Sequence, residues 1–120
     1  MATRSNIHFK NSDYLAANVY VHYDGYPDNR LPELQRFFDA VKRQCPDSRF
    51  SDGSYLAAKF IVWYSQEQSS NAQCGMLNFL GIGPAVQDSG DIDYRYTIDC
   101  DKRDTNGFPV VSYEKVTYSV

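Results

Sequence analysis

Asp91-Ile92-Asp93-Tyr94-Arg95-Tyr96-Thr97-Ile98-Asp99 alternates without a break. Ile92, Tyr94, Tyr96 and Ile98 fall on one side; Asp93, Arg95, Thr97 and Asp99 fall on the other. A period of two in side-chain character is the signature of a strand with one buried and one wetter face. Working outward, Asp104-Thr105-Asn106-Gly107 carries turn chemistry and leads into a last alternating segment over residues 110–120. Upstream, residues 76–82 are apolar and punctuated by Gly81 and Gly83-Pro84, which predicts a further strand. Near the start, Ile7-His8-Phe9-Lys10 and residues 16–23 predict two more, joined as a hairpin through Asn11-Ser12-Asp13.

Between these strands the period changes. Leu34, Phe37, Phe38 and Val41 lie at i, i+3, i+4 and i+7, one stripe of an amphipathic helix. Pro32 suits its first turn, Glu33 complements the positive end of its dipole, and Cys45-Pro46 ends it. A second helix opens at Ser51 or Asp52 as N-cap and runs through Tyr64. It is apolar nearly all round, which predicts a buried helix, with a strand as the competing reading for residues 59–64. Residues 66–73 are polar and predict a loop. The order is ββααβββ: an α+β fold in one domain over residues 1–120. Short connections predict an antiparallel sheet of about five strands with two helices packed on one face. Leu34, Phe37, Phe38, Val41, Leu56, Phe60 and Trp63 are the expected core.

Composition restricts the function classes. With 12 basic and 15 acidic residues the net charge is −3, which disfavours general nucleic-acid binding. Cys45, Cys74 and Cys100 are odd in number and widely spaced, so neither a disulfide framework nor a zinc site is expected, and no cofactor is. No apolar leader and no membrane-length run stands in the sequence, giving a cytoplasmic expectation. Ten tyrosines accompany seven phenylalanines and one tryptophan. Tyrosine favours strands, and it also favours interfaces, where its body is buried and its hydroxyl finds a partner.

The most pronounced local feature is His22-Tyr23-Asp24-Gly25-Tyr26-Pro27, at the end of a strand and the entry to a helix. As architecture it is a corner: Asp24 accepts backbone N–H groups, Gly25 takes a positive φ and Pro27 fixes the exit. As a site, His22, Tyr26 and Arg30 project around a helix N-terminus. There Arg30 could hold a phosphate and Tyr20 or Tyr26 could stack a base. His22 and Asp24 could also form an acid–base pair, although no nucleophile stands in a recognisable setting. Asp91, Asp93 and Asp101, with neighbouring carboxylates, predict an acidic rim for a basic partner surface.

This stretch resembles a group of small phage, prophage and bacterial proteins that carry a His-Trp-Asp-Gly-Tyr-Pro motif after an Ile/Val-Tyr strand. The match spans Val19 to Phe38, with Tyr23 where the tryptophan usually stands. Leu31-Pro32-Glu33-Leu34 departs from the usual small-residue helix entry. The resemblance implies a phage-related context, in which small acidic proteins counter host defence. Three expectations follow from motif and composition together. The first is a non-catalytic protein that binds and blocks a host protein or defence complex, such as a CRISPR effector, in an anti-CRISPR-like manner; an immunity protein is a variant of it. The second is a sponge for a nucleotide messenger with Arg30, His22 and stacked tyrosines, formed where copies of the chain meet as a homo-oligomer. The third is a small hydrolase built on His22 and Asp24.

Overall fold

Strand β1 (Ser5–Asn11) and strand β2 (Tyr14–Val21) form an antiparallel hairpin, with Ile7 opposite Val19 and Ser5 opposite Val21. The computed structural model describes residues 3–45, 48–69 and 81–116. After the hairpin come helix α1 (Pro27–Gln44), helix α2 (Gly53–Ser69), strand β3 (Ile82–Pro84), strand β4 (Tyr94–Arg103) and strand β5 (Pro109–Lys115). The ββααβββ order and the α+β class follow the sequence expectation. The five strands form one sheet in the order β3-β2-β1-β4-β5.

One pairing departs from the expected antiparallel sheet. β1 and β4 run parallel, with Ile7 beside Tyr96 and Phe9 beside Ile98. The other three neighbouring pairs are antiparallel. The cause lies in the connection. β3 adds outside β2, and residues 85–93 then cross over the sheet to start β4 on the far side of β1, so β4 enters in the direction of β1.

Alternation assigns the two faces. Ile7, Phe9, Val19, Val21, Tyr96, Ile98 and Cys100 are buried towards the helices. Leu34, Phe37, Phe38, Val41, Leu56 and Phe60 are buried against them as expected, and Trp63 is partly buried at the margin. The layer is aromatic: the Phe37 ring lies 5.1 Å from Phe60 edge-on and 5.6 Å from Trp63.

The helices differ from expectation in three places. α1 begins at Pro27, not Pro32. Pro27 occupies the first turn, where its missing N–H costs nothing, and Pro32 falls inside the helix. α2 starts after Asp52, whose carboxylate accepts the Tyr55 N–H at 3.2 Å as an N-cap. It is not buried all round: Tyr55 is 52% and Val62 58% exposed. It also continues through residues 66–69, expected as loop. The rest of that loop, the expected strand residues 76–80 and residues 117–120 lie outside the described residues. The last turn forms as expected, with Gly107 at φ +79 and the Asp104 carboxylate accepting the N–H groups of Asn106 and Phe108.

Candidate functional site

The chain leaves β2 at Val21, and the His22 N–H donates to the Gly81 carbonyl at 2.7 Å. The reversal comes at Asp24, with φ +54; Gly25 was the expected place for it. Aspartate tolerates this left-handed region better than most residues. Gly25 is needed for a different reason. A Cβ there would stand 2.8 Å from the Thr3 carbonyl oxygen and 2.9 Å from the Ser5 side chain. Its N–H donates to Thr3 at 2.9 Å, and its carbonyl accepts the buried Tyr96 hydroxyl at 2.5 Å. Tyr26 is the N-cap of α1, and its carbonyl accepts the N–H groups of Asn29 and Arg30.

Arg30 does not project towards solvent. It lies wholly in the interior, one turn from Glu33, whose carboxylate its Nη1 contacts directly. Its Nη2 donates to the Tyr23 carbonyl at 2.9 Å, and its guanidinium sits 5.9 Å from the centre of the Tyr64 ring. Because α1 starts five residues early, Arg30 is in its first turns on the core side. Burial lifts the Glu33 carboxyl above its ordinary value, against the pull of Arg30. Burial likewise pushes the Tyr64 hydroxyl up to about 12. Arg30 is thus the interior clamp of the corner.

The expected roles of Asp24 and His22 also change. The Asp24 carboxylate is exposed, and among the described residues the corner is held by its carbonyl, which accepts Asn29 Nδ2 at 2.8 Å. His22 faces Tyr20 instead of Asp24: its Nδ1 lies 2.8 Å from the Tyr20 hydroxyl, and its ring meets Tyr23 edge-on at 4.6 Å. Tyr20, His22 and Tyr23 line one wall of an open cleft of about 370 Å³; Gly81, Ile82 and Pro84 form the other. Gly81 belongs there because a Cβ would collide with the Tyr23 ring at 2.8 Å. Tyr23, in the wall of this cleft, is 49% exposed, and Tyr26, at the start of α1, is 43% exposed.

The carboxylates expected as one rim separate into two groups. Asp91 accepts the Ser89 hydroxyl at 2.6 Å and pairs with Arg4 at 3.3 Å. The Ser89 hydroxyl, with Arg4 and His22 nearby, holds its carboxyl below the ordinary range. Asp93 accepts the Arg4 N–H at 3.1 Å. The Tyr20 hydroxyl is lifted by burial and by Asp91, with Arg4 opposing. Asp91 and His22, read from the sequence as parts of two surfaces, therefore lie at the same end of the sheet, with Tyr20 and Arg4. Asp101 stands at the other end, roughly 26 Å along β4 at strand rise, where it accepts the Ser12 N–H and hydroxyl.

Asp88, read from the sequence as part of the acidic rim, lies instead on the sheet face opposite the helices, among residues not singled out as a site. Asp88, on the 85–93 crossover, meets His8 Nε2 at 2.6 Å, Arg95 Nε at 2.6 Å and Asn18 Nδ2 at 3.0 Å. Asn6 Nδ2 donates to Asn18 at 2.8 Å, and Asn6 accepts the Ser89 N–H at 3.1 Å. Desolvation raises the Asp88 carboxyl, but hydrogen bonds from His8, Arg95 and Asn18 outweigh it, and the net shift is downward. This is the histidine–carboxylate pair the fold makes, and Arg95 and Asn18 share its acceptors. The alternation of Ile7 to Lys10 puts His8 on that face, but nothing local in the sequence pairs it with Asp88, 80 residues away.

A second concavity, an apolar groove of about 330 Å³, lies between the helices against Phe37, Ala40, Val41, Val62 and Trp63. The Cys100 thiol is buried and pushed up to about 11, far from a nucleophile's range. Among the described residues there is no group of three or more His, Cys, Asp or Glu able to hold a metal ion, and no helix is long and apolar enough to cross a membrane. No protein-family model matches the chain, and no curated protein or solved structure matches it.

Proposed function

We propose that this chain is a small non-catalytic binding protein that engages a protein partner through the sheet end carrying Tyr20, His22, Tyr23, Tyr26 and Asp91. The observation that carries this reading is the pair of half-exposed rings on one corner, Tyr23 in the wall of an open cleft and Tyr26 at the start of α1. Tyrosine on a rigid support supplies large contact area at little entropic cost, the character of interface anchors. Asp91 and Arg4 add a charged margin that can set register with a partner. The motif resemblance supports a phage-type context, with a host defence complex as the partner class.

The interior position of Arg30 weighs against the nucleotide sponge, because it removes the one cation at the start of α1 that could hold a phosphate. Asp24 and Asp28 stand around that helix start and disfavour an anion. The His22–Tyr20 contact likewise weighs against a hydrolase built on His22 and Asp24. The test is co-purification from defence-carrying cells with the tagged wild type beside Tyr23→Ala and Tyr26→Ala. A protein retained by the wild type and lost from both variants, at unchanged melting temperature, supports the reading. A bound nucleotide, or a protein retained equally by all three, refutes it.

A further inference from the structure

The two edges of the sheet are unlike. β3 is three residues long and ends in Pro84, a blunted edge that offers little to another strand. β5 is seven residues long, pairs among the described residues only with β4, and is exposed from Ser112 to Lys115. Its hydrogen-bond phase follows from two facts. Tyr94 lies opposite Lys115, and the Val116 N–H donates to the Asp93 carbonyl at 2.9 Å. Residues 116 and 93 are thus a narrowly paired couple, and along the ladder 114, 112 and 110 are paired to β4 in the same way. The N–H and C=O groups of Val111, Tyr113 and Lys115 therefore point away from the sheet. Pro109, at the strand's first position, falls in the same outward phase, where its missing N–H breaks no bond to β4.

We propose that this edge pairs antiparallel with β5 of a second copy, about a twofold axis through Tyr113, and joins two sheets into one. The register is chosen by which residues each alternative sets opposite one another. Centred on Tyr113, the couples are Tyr113 with Tyr113, Val111 with Lys115 and Lys115 with Val111. The N–H and C=O groups of Val111, Tyr113 and Lys115 then all pair, giving about six inter-chain N–H···O bonds at two per couple. On the polar face Ser112 lies opposite Glu114, and no like charges meet. Centred on Ser112, Lys115 would face Pro109, which has no N–H to give. Centred on Glu114, the two Glu114 carboxylates would stand directly opposite each other, which is unfavourable. On the helix side, Tyr94, Tyr96 and Tyr113 already stack at 5.8 to 6.4 Å, and the half-exposed Tyr113 ring would cover its counterpart across the axis. β5 is the sheet edge opposite β3, beside which the Tyr20–Tyr23 cleft lies, so the pairing stands or falls independently of the proposed function.

Sedimentation equilibrium of the full chain between ~1 and ~500 μM tests this, with a dissociation constant on the order of 10 μM expected for so small an interface. Tyr113→Pro removes an outward N–H without removing a bond to β4, and should leave only monomer. Ser112 is exposed, so its variants test the register without touching the core. Ser112→Glu faces Glu114 of the partner subunit and should weaken the dimer about threefold to tenfold, whereas Ser112→Lys should bind at least as tightly as wild type. A wild type that stays monomeric across the range overturns the proposal. So does a dimer equally strong in Ser112→Glu and Ser112→Lys, whatever the folding of the proline variant.

Discussion

The two faces of this sheet are held by different chemistry. Under the helices, Phe9, Phe37, Phe38, Phe60 and Tyr96 form a dry aromatic layer in which nearly every contact is apolar. On the opposite face, Asn6, His8, Asn18 and Arg95 converge on Asp88 and Ser89 of the 85–93 crossover. The dry layer supplies stability through area removed from water and tolerates any partner of the right shape. The polar face specifies. Its directional bonds are satisfied only when the crossover lies over β2 and β1 and delivers β4 parallel to β1. The hydrophobic stripe could fill many arrangements of five strands, whereas this network fits one.

The comparison can be broken from either side. The largest effect belongs to the dry face: Phe37→Ala should cost about 4 kcal/mol in urea unfolding, since the ring is wholly buried among Phe38, Phe60 and Trp63. A loss below about 1 kcal/mol would mean that the helix layer rearranges freely. Next comes the charge placed inside that layer. Arg30→Ala should cost about 3 kcal/mol by stranding Glu33 in the interior, and Arg30→Met with Glu33→Leu should recover most of it. If the double variant is as unstable as the single one, the pair holds the corner by more than mutual compensation.

On the polar face Asp88→Ala should cost about 2 kcal/mol, because three donors lose their acceptor at a partly solvated site. Its pH dependence has a definite sign. The folded-state carboxyl is held below its unfolded value, so its contribution is complete at neutral pH. It fades as pH falls below about 4, through the folded value. The loss of stability between neutral and acid pH should therefore be smaller in Asp88→Asn than in wild type. Equal slopes would show that the network carries no charge-dependent stability. The smallest effect belongs to the exposed corner: Tyr26→Ala should change stability by less than about 0.5 kcal/mol, measured by the same unfolding series.

The sequence by itself determined the element order, the helical stripe of Leu34, Phe37, Phe38 and Val41, and the alternation of β4. These are local periodicities, and a period is visible in one stretch of chain. It also marked His22 to Pro27 as a corner. Within that corner it gave the positive φ to Gly25 and the anion-binding role to Arg30, and both assignments depended on where α1 begins. Pro27 can break a helix or open one, and the neighbouring residues do not choose between them. Only the tertiary structure put Arg30 inside with Glu33, brought Asp91 to the sheet end that carries His22, sent Asp101 to the far end of β4, and set β4 parallel to β1. Those facts turn on contacts between residues far apart in the chain, such as Arg30 with Tyr64 and Asp101 with Ser12. Such pairings are decided by which buried donors, acceptors and rings can all be satisfied together, a condition on the whole packed molecule that no single segment carries.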